Sequence, residues 1–279
     1  MTALDQALDD SDLPALLDLS LTAAIAAADV IKTVYARPFA AETKADGSPV
    51  TEADARAEAV IIEHLMPTEI PVLAEESVAA GRIPLLGRRY FVVDPLDGTK
   101  EFLKRNGEFT VNIALVEDGR PVLGVVLVPA TGRAYLGGPD GAQACETSAG
   151  APVEMRRISV NDSRPLRIVA SRSHGHAALA PLCETLDVTE DVSVGSSLKF
   201  CLLAEGNAQI YPRFTPTCEW DTAAGQAVLE AAGGTVLTMD GLPLRYGKAD
   251  LKFLNPFFVA AASEDLAIRA AAEMSRLVA

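Results

Sequence analysis

Two aspartates, a glutamate, a lysine, a threonine, a glycine and a proline crowd into nine residues in DPLDGTKEF, Asp94 to Phe102. The segment follows the apolar run Tyr90-Phe91-Val92-Val93. Asp94 thus stands at the end of a predicted strand. Pro95 bars a simple continuation of the ladder. Gly98 permits a tight turn in which Asp94 and Asp97 face one point. Glu75 ends a second predicted strand, within IPVLAEE. If the two strands are neighbours, three carboxylates meet. Three like charges stay ionised together only when cations neutralise them. Carboxylate oxygens suit a hard ion such as Mg²⁺, with the Leu96 carbonyl as a further ligand. The bland alternative is an acidic turn in water; the apolar strands ending at these acids argue for a site.

Gly98-Thr99-Lys100-Glu101-Phe102 is predicted to open a helix. Free backbone N–H groups there, with the Thr99 hydroxyl, could hold a phosphate, or could simply form a turn and cap. CEWDTAAGQAVLEAAGG places Asp221 at another helix start, where capping alone would also explain it. Alanines at 223, 224, 227, 231 and 232 slim that helix for close packing, and Trp220 reads as a core or ligand-contact residue. Metal ions beside a helix N-terminus imply phosphoryl chemistry. The histidines carry less. His64 falls in the last turn of a helix, where it complements the dipole. His174-x-His176 supplies too few ligands for zinc and has no cysteine close by in sequence. Ser171-x-Ser173-His174 lacks the turn of a nucleophile elbow.

The elements that must position these groups follow from periodicity and breakers. A helix is predicted over Ala15–Tyr35, with Pro14 in its first turn and Pro38 beyond its end. Thr51 and Asp54 form a capping-box pair for a second helix, running to Leu65. FTVNIALVEDGRPVLGVVLVP and TGRAYLG predict a three-stranded meander, turning at Asp118-Gly119 and near Gly132. Residues 137–155 read as a loop and edge region. Strands and helices then alternate: strand Arg167–Ala170, helix His176–Leu186, a strand near Val192, helix Leu198–Glu205, strand Gln209–Tyr211. Helix Thr222–Ala232, stopped at Gly233-Gly234, precedes strands at Thr235–Leu237 and Phe257–Ala261 and a last helix from Glu264. The class is α/β, or α+β. Two lobes are expected: 1–155, an α+β lobe with the main metal and phosphate motifs, and 156–279, an α/β lobe contributing Asp221 and nucleotide contacts.

The 279 residues carry a formal net charge of −14, and about half are apolar. That excludes global disorder and argues against nucleic-acid binding, which needs excess positive charge. The four cysteines have no metal-ligand spacing and suggest thiols in a reducing compartment. The acidic start is unlike a signal peptide, and no run of 18 apolar residues is visible, so the expectation is a cytoplasmic protein without a transmembrane segment. Nothing in the sequence fixes an oligomeric state.

The motifs LAEES, DPLDGTKEFLKRNGEFTVNIALVEDGRPVLGVV, SRSH, GSSLKFCLLAEGNAQIYPRF and WDTAAG together resemble the inositol monophosphatase superfamily of metal-dependent, lithium-sensitive phosphatases. Within it they are similar to the bacterial 3'(2'),5'-bisphosphate nucleotidases, with GTKEF, KRNGEFTVNIAL and GSSLKFC carrying the distinction. The resemblance runs from about Ile25 to Ala261; Cys218 before Glu-Trp-Asp is a departure from the usual pattern. It implies the layered αβαβα sugar-phosphatase fold. It implies two or three Mg²⁺ ions on Glu75, Asp94, the Leu96 carbonyl, Asp97 and Asp221. Asp54 and Thr99 would position and help deprotonate the attacking water, and Gly98 and Thr99 would hold phosphate oxygens. Lys44 would lie near the metals. Gly195, Ser196, Ser197, Lys199 and Arg213 would surround a small bisphosphorylated nucleotide. The reaction implied is hydrolysis of adenosine 3',5'-bisphosphate to AMP and phosphate in sulfur assimilation and nucleotide recycling, with 3'-phosphoadenylyl sulfate as a further substrate. Relatives of this type can sit at the inner face of a membrane, which nothing here requires. Rival expectations are an inositol monophosphatase, a fructose-1,6-bisphosphatase-like enzyme, or an inactive nucleotide-binding regulator.

Overall fold

Helix α1, Leu13–Tyr35, holds Pro14 in its first turn and buries Ala23, Ala24, Ala27, Ala28 and Ile31. These small side chains let it lie close against α2, Glu52–Leu65. The structure is a computed structural model that describes residues 10–43, 49–170 and 176–278. Lys44 and the SRSH motif with His174 therefore lie outside the described residues. A short antiparallel ribbon, β1 (Ala41–Thr43) with β2 (Pro49–Thr51), leads into α2.

α1 and α2 cover one face of a seven-stranded sheet. β3 (Val72–Ala74) runs parallel to β4 (Arg89–Asp97). An antiparallel series follows: β5 (Thr110–Glu117), β6 (Arg120–Val128), β7 (Arg133–Gly138), β8 (Gly141–Ser148) and β9 (Ala151–Ile158). The expected meander is therefore two strands longer than its sequence suggests: the loop and edge region expected over 137–155 is an edge, but it is formed by β8 and the edge strand β9 rather than by a loop. β9 is an edge strand exposed at all positions before Ile158, and β8 is built from glycine, alanine and small polar residues. Neither presents the apolar alternation by which strands are recognised.

The second sheet has the order β11-β10-β12-β14-β13. Its strands are β10 (Leu166–Ala170), β11 (Val188–Ser193), β12 (Ile210–Arg213), β13 (Thr235–Thr238) and β14 (Phe258–Ala261). Between the sheets lie α6 (Leu198–Ala204) and α7 (Ala223–Ala231). Helices α5 (Leu179–Leu186) and α8 (Glu264–Val278) cover the outer face. Three apolar clusters fill the spaces between the five layers, so the architecture is αβαβα. Two short helices, α3 (Glu75–Ala79) and α4 (Thr99–Leu103), follow β3 and β4.

Two glycines set how α7 meets the first sheet. Gly124 and Gly137 are paired across β6 and β7. A Cβ on Gly124 would stand 2.5 Å from the Ala224 carbonyl oxygen, and one on Gly137 would stand 2.5 Å from that of Ala227. The helix backbone rests directly on this bare strip.

α1 also bears on the expectation that no segment spans a membrane. It is long and apolar enough to cross a bilayer by length and composition, with a mean hydropathy of 1.6 over its most apolar window. Half of that window is buried inside the molecule, against α2 and the sheet.

Candidate active site

The spacing of Asp94 and Asp97 would put them on opposite faces of a regular strand. β4 avoids this with a bulge. Asp94 is opposite Asn112, while Asp97 is opposite Thr110, so three steps along β4 match two along β5. Both aspartates consequently share the face of Thr110 and Asn112, which looks toward α6 and α7. Pro95 thus sits within the irregularity rather than ending the strand. Gly98 follows at φ 96°, and α4 begins at Thr99.

Asp94 is buried, and its Oδ1 accepts from the Leu96 backbone N–H at 2.9 Å. Glu75 opens α3, which α2 anchors through buried Glu58. The Glu58 carboxylate accepts from the Glu76 N–H at 2.7 Å and the Ser77 hydroxyl at 2.6 Å. Asp221 lies just before α7, and its Oδ2 accepts from the Cys218 N–H at 2.9 Å. Burial drives the Asp94 carboxyl well above the usual carboxylate range, and the charges of Glu75, Asp97 and Asp221 add to that. The same forces, burial first and then Asp97 and Glu75, push Asp221 up to about 8. Four acids from distant parts of the sequence therefore repel one another across one small volume.

Asp54 adjoins this cluster. It is buried in the first turn of α2, where its Oδ2 accepts from both the backbone N–H and the hydroxyl of Thr51, each at 2.8 Å. Its Oδ1 accepts from the Thr99 hydroxyl at 3.2 Å, and that hydroxyl stands 3.4 Å from the Leu96 carbonyl oxygen.

A cleft opens beside these groups. Asp97, Gly98 and Asp221 line it, as do Gly195, Ser196, Lys199 and Arg213. The Lys199 ammonium donates to the Ser196 carbonyl at 2.8 Å and lies 5.6 Å from the centre of the Tyr211 ring. Burial lowers its pKa to about 8, with Asp97 opposing the shift. The Arg213 guanidinium is fixed by the Thr215 and Pro216 carbonyls, at 3.1 and 3.2 Å. Gly195 donates its N–H to Glu108 at 3.0 Å, which ties the loop before α6 to the one before β5.

Ser197 differs from its neighbours. Its side chain is buried and does not line the cleft. Its hydroxyl lies among Asp97 Oδ2, the Asp221 carbonyl and Asn112 Nδ2 instead. The residue expected beside the nucleotide thus has its hydroxyl engaged inside the protein. Sequence reasoning overlooked Asn112, Glu58 and Glu108. Asn112 left a signal, since an amide inside the apolar run Val111 to Val116 must find polar partners. The remaining histidines are local: His64 Nδ1 contacts the Val60 carbonyl at 2.9 Å, and His176 stacks on Phe214.

The donors present suit a hard divalent cation. They are oxygens only, and the mutual repulsion that raises the Asp94 and Asp221 carboxyls is what a bound cation would relieve. Among the described residues, no three His, Cys, Asp or Glu side chains are already gathered in ligating geometry.

A five-layer frame that directs acids from both halves of the chain to one cleft defines a class of metal-assisted phosphatases. Residues 12–276 match the inositol monophosphatase family, and the chain belongs to it. It is 48% identical over 236 residues to the 3'(2'),5'-bisphosphate nucleotidase CysQ of Escherichia coli K12, covering 83% of this chain and 94% of that protein. The corresponding protein of Buchnera aphidicola is 43% identical over 222 residues, covering 78% and 82%. The crystal structure of CysQ from Bacteroides thetaiotaomicron superposes with a TM-score of 0.75 at 40% identity, covering 89% and 97%. An inositol monophosphatase from Anabaena shares the fold, with a TM-score of 0.71 at 24% identity over 94% and 96%.

Proposed function

We propose that this chain is a Mg²⁺-dependent 3'(2'),5'-bisphosphate nucleotidase that hydrolyses adenosine 3',5'-bisphosphate to AMP and phosphate. Its further substrate is 3'-phosphoadenylyl sulfate. The observation that carries this reading is the pairing of an acidic cluster with a cationic wall, Lys199 and Arg213, in one cleft. A substrate with two separated phosphates matches both ends; an inositol monophosphate would leave the cationic wall unused.

Glu75, Asp94, the Leu96 carbonyl, Asp97 and Asp221 would hold two or three Mg²⁺ ions. Bound there, they would neutralise phosphate charge and acidify water. The chain's own residues do the rest. Gly98 and Thr99 present backbone N–H groups to the 3'-phosphate. Thr99 Oγ1 accepts a proton from the attacking water while donating its own to Asp54 Oδ1, the contact seen at 3.2 Å. Thr51 keeps Asp54 oriented by holding its other oxygen. The water oxygen bonds to phosphorus as the phosphorus–oxygen bond to the ribose breaks, and the released 3'-oxygen takes a proton from solvent in the cleft. Lys199 and Arg213 hold the 5'-phosphate. In this reading residues 1–155 supply the metal and phosphate groups, and residues 156–279 supply Asp221 and the nucleotide contacts. Four free cysteines suit a reducing cytoplasm.

The test is phosphate release from adenosine 3',5'-bisphosphate, 3'-phosphoadenylyl sulfate, inositol 1-phosphate and fructose 1,6-bisphosphate with Mg²⁺, with and without Li⁺. Preference for the bisphosphorylated nucleotide and inhibition by Li⁺ are expected. Preference for inositol phosphate would overturn the substrate assignment, and no turnover of any of them would favour a binding protein.

A further inference from the structure

We infer that Ser197, oriented by Asn112, is a positioning residue that sets the spacing of Asp97 and Asp221. This inference rests on the metal-dependent reading above.

Ser197 occupies the N-cap position of α6, where a serine hydroxyl ordinarily accepts from the first-turn N–H groups. Here it makes no such bond. The oxygen is turned inward, 2.9 Å from Asp97 Oδ2 and 2.8 Å from the Asp221 carbonyl oxygen. Asp97 lies at the end of β4 and Asp221 before α7, so one side chain joins two acids 124 residues apart in the chain.

A hydroxyl can rotate, and left alone it would hold neither partner in place. Asn112 removes that freedom. Its Nδ2 stands 2.8 Å from Ser197 Oγ and can only donate. The hydroxyl oxygen must present a lone pair to the amide, which leaves its single proton shared between Asp97 Oδ2 and the Asp221 carbonyl. The same amide nitrogen lies 3.4 Å from Asp97 Oδ2. Asn112 is in turn fixed by the β5 ladder, directly opposite Asp94. Both side chains are essentially inaccessible, at 1% exposure for Asn112 and 2% for Ser197. Burying an amide and a hydroxyl costs stability unless their bonds offset it. Three acids are thereby referred to one rigid strand: Asp94 through the ladder, Asp97 and Asp221 through Ser197.

The test is a calorimetric titration with Mg²⁺ and inorganic phosphate of the wild type, Ser197→Ala and the double variant Ser197→Ala/Asn112→Ala. Ser197→Ala removes one oxygen and leaves the buried Asn112 amide without that partner, so its thermal midpoint in EDTA should fall modestly while the variant stays folded. Its Mg²⁺ affinity should fall about tenfold, the lower end for a residue supporting a ligand. The double variant should fall little further, because Asn112 acts mainly through that hydroxyl, its own contact with Asp97 being a long 3.4 Å. KM for adenosine 3',5'-bisphosphate at saturating Mg²⁺ should not move. Equal affinity in wild type and Ser197→Ala would overturn the inference and leave the metal reading intact. So would a raised KM with unchanged affinity, which would make Ser197 a substrate contact. Absence of cation uptake by the wild type would instead overturn the metal reading, and the inference with it.

Discussion

Thr51 grips one oxygen of Asp54 with two donors and leaves the other oxygen to Thr99, at 3.2 Å. The device that starts α2 is thus the device that fixes the second Asp54 oxygen beside the turn at Gly98 and Thr99. Asp54→Asn keeps the size of the side chain and removes its basicity. It should lower kcat by about 10²–10⁴, the usual contribution of a general base. Thr51→Ala should cost about 0.5–2 kcal/mol through the lost cap and also lower kcat. Denaturant melts and steady-state kinetics on both variants separate the two effects.

Asp94 is the most enclosed of the clustered acids, with burial the main force on its carboxyl. Asp94→Asn should reduce turnover at ordinary Mg²⁺ by more than about a hundredfold, beyond what loss of a supporting residue produces. The assay is phosphate release against Mg²⁺ concentration. Full activity at low Mg²⁺ would remove Asp94 from the ligand set.

Stability should depend on pH through the same cluster. In the folded, metal-free chain Asp221 is pushed up to about 8 from an ordinary 3.8. Above the lower value the unfolded chain releases a proton that the folded chain retains. The unfolded state then binds fewer protons, so this group's contribution falls as pH rises from about 4 to about 8. Thermal midpoints in EDTA should drop more steeply over that window for the wild type than for Asp221→Asn. Adding Mg²⁺ at pH 8 should raise the wild-type midpoint, because cations favour the folded, ionised cluster.

Lys199 should act on substrate choice. Lys199→Met keeps the length and apolar stem while removing the charge. KM for adenosine 3',5'-bisphosphate should rise about 10–100-fold, as expected for losing a charged hydrogen bond. KM for adenosine 3'-monophosphate should change little. Equal losses on both substrates would place Lys199 away from the 5'-phosphate.

The bare strip under α7 gives a prediction about packing. Gly137→Ala would drive a methyl into the Ala227 carbonyl, now 2.5 Å from that position. A loss of about 1–3 kcal/mol is expected, read by urea denaturation. Because Asp221 directly precedes α7, Mg²⁺ affinity should weaken as well.

The elements nearest the chemistry were the most legible in sequence. Thr51 and Asp54 announce a helix start because capping is local, and the structure places the box there. Asp94 and Asp97 announced themselves by ending an apolar strand. The bulge that brings them to one face did not, because it depends on which residues of β5 lie opposite. The β8–β9 region was legible as an edge but not as strands, because an exposed edge strand needs no apolar alternation. Ser197 reads as a cleft residue between Ser196 and Lys199, and only the fold reveals its inward turn. For the bulge and for Ser197, what was illegible was a long-range pairing that no local pattern encodes.

The first sheet is complete by Ile158, yet the helix that covers its inner face begins at Ala223. During synthesis Val126, Val128 and Tyr135 would face water until most of the later half has left the ribosome. A polypeptide released at that stage would be a finished sheet with an oily side, prone to self-association. Production of this protein is therefore sensitive to premature termination, and its two halves are poor candidates for separate expression.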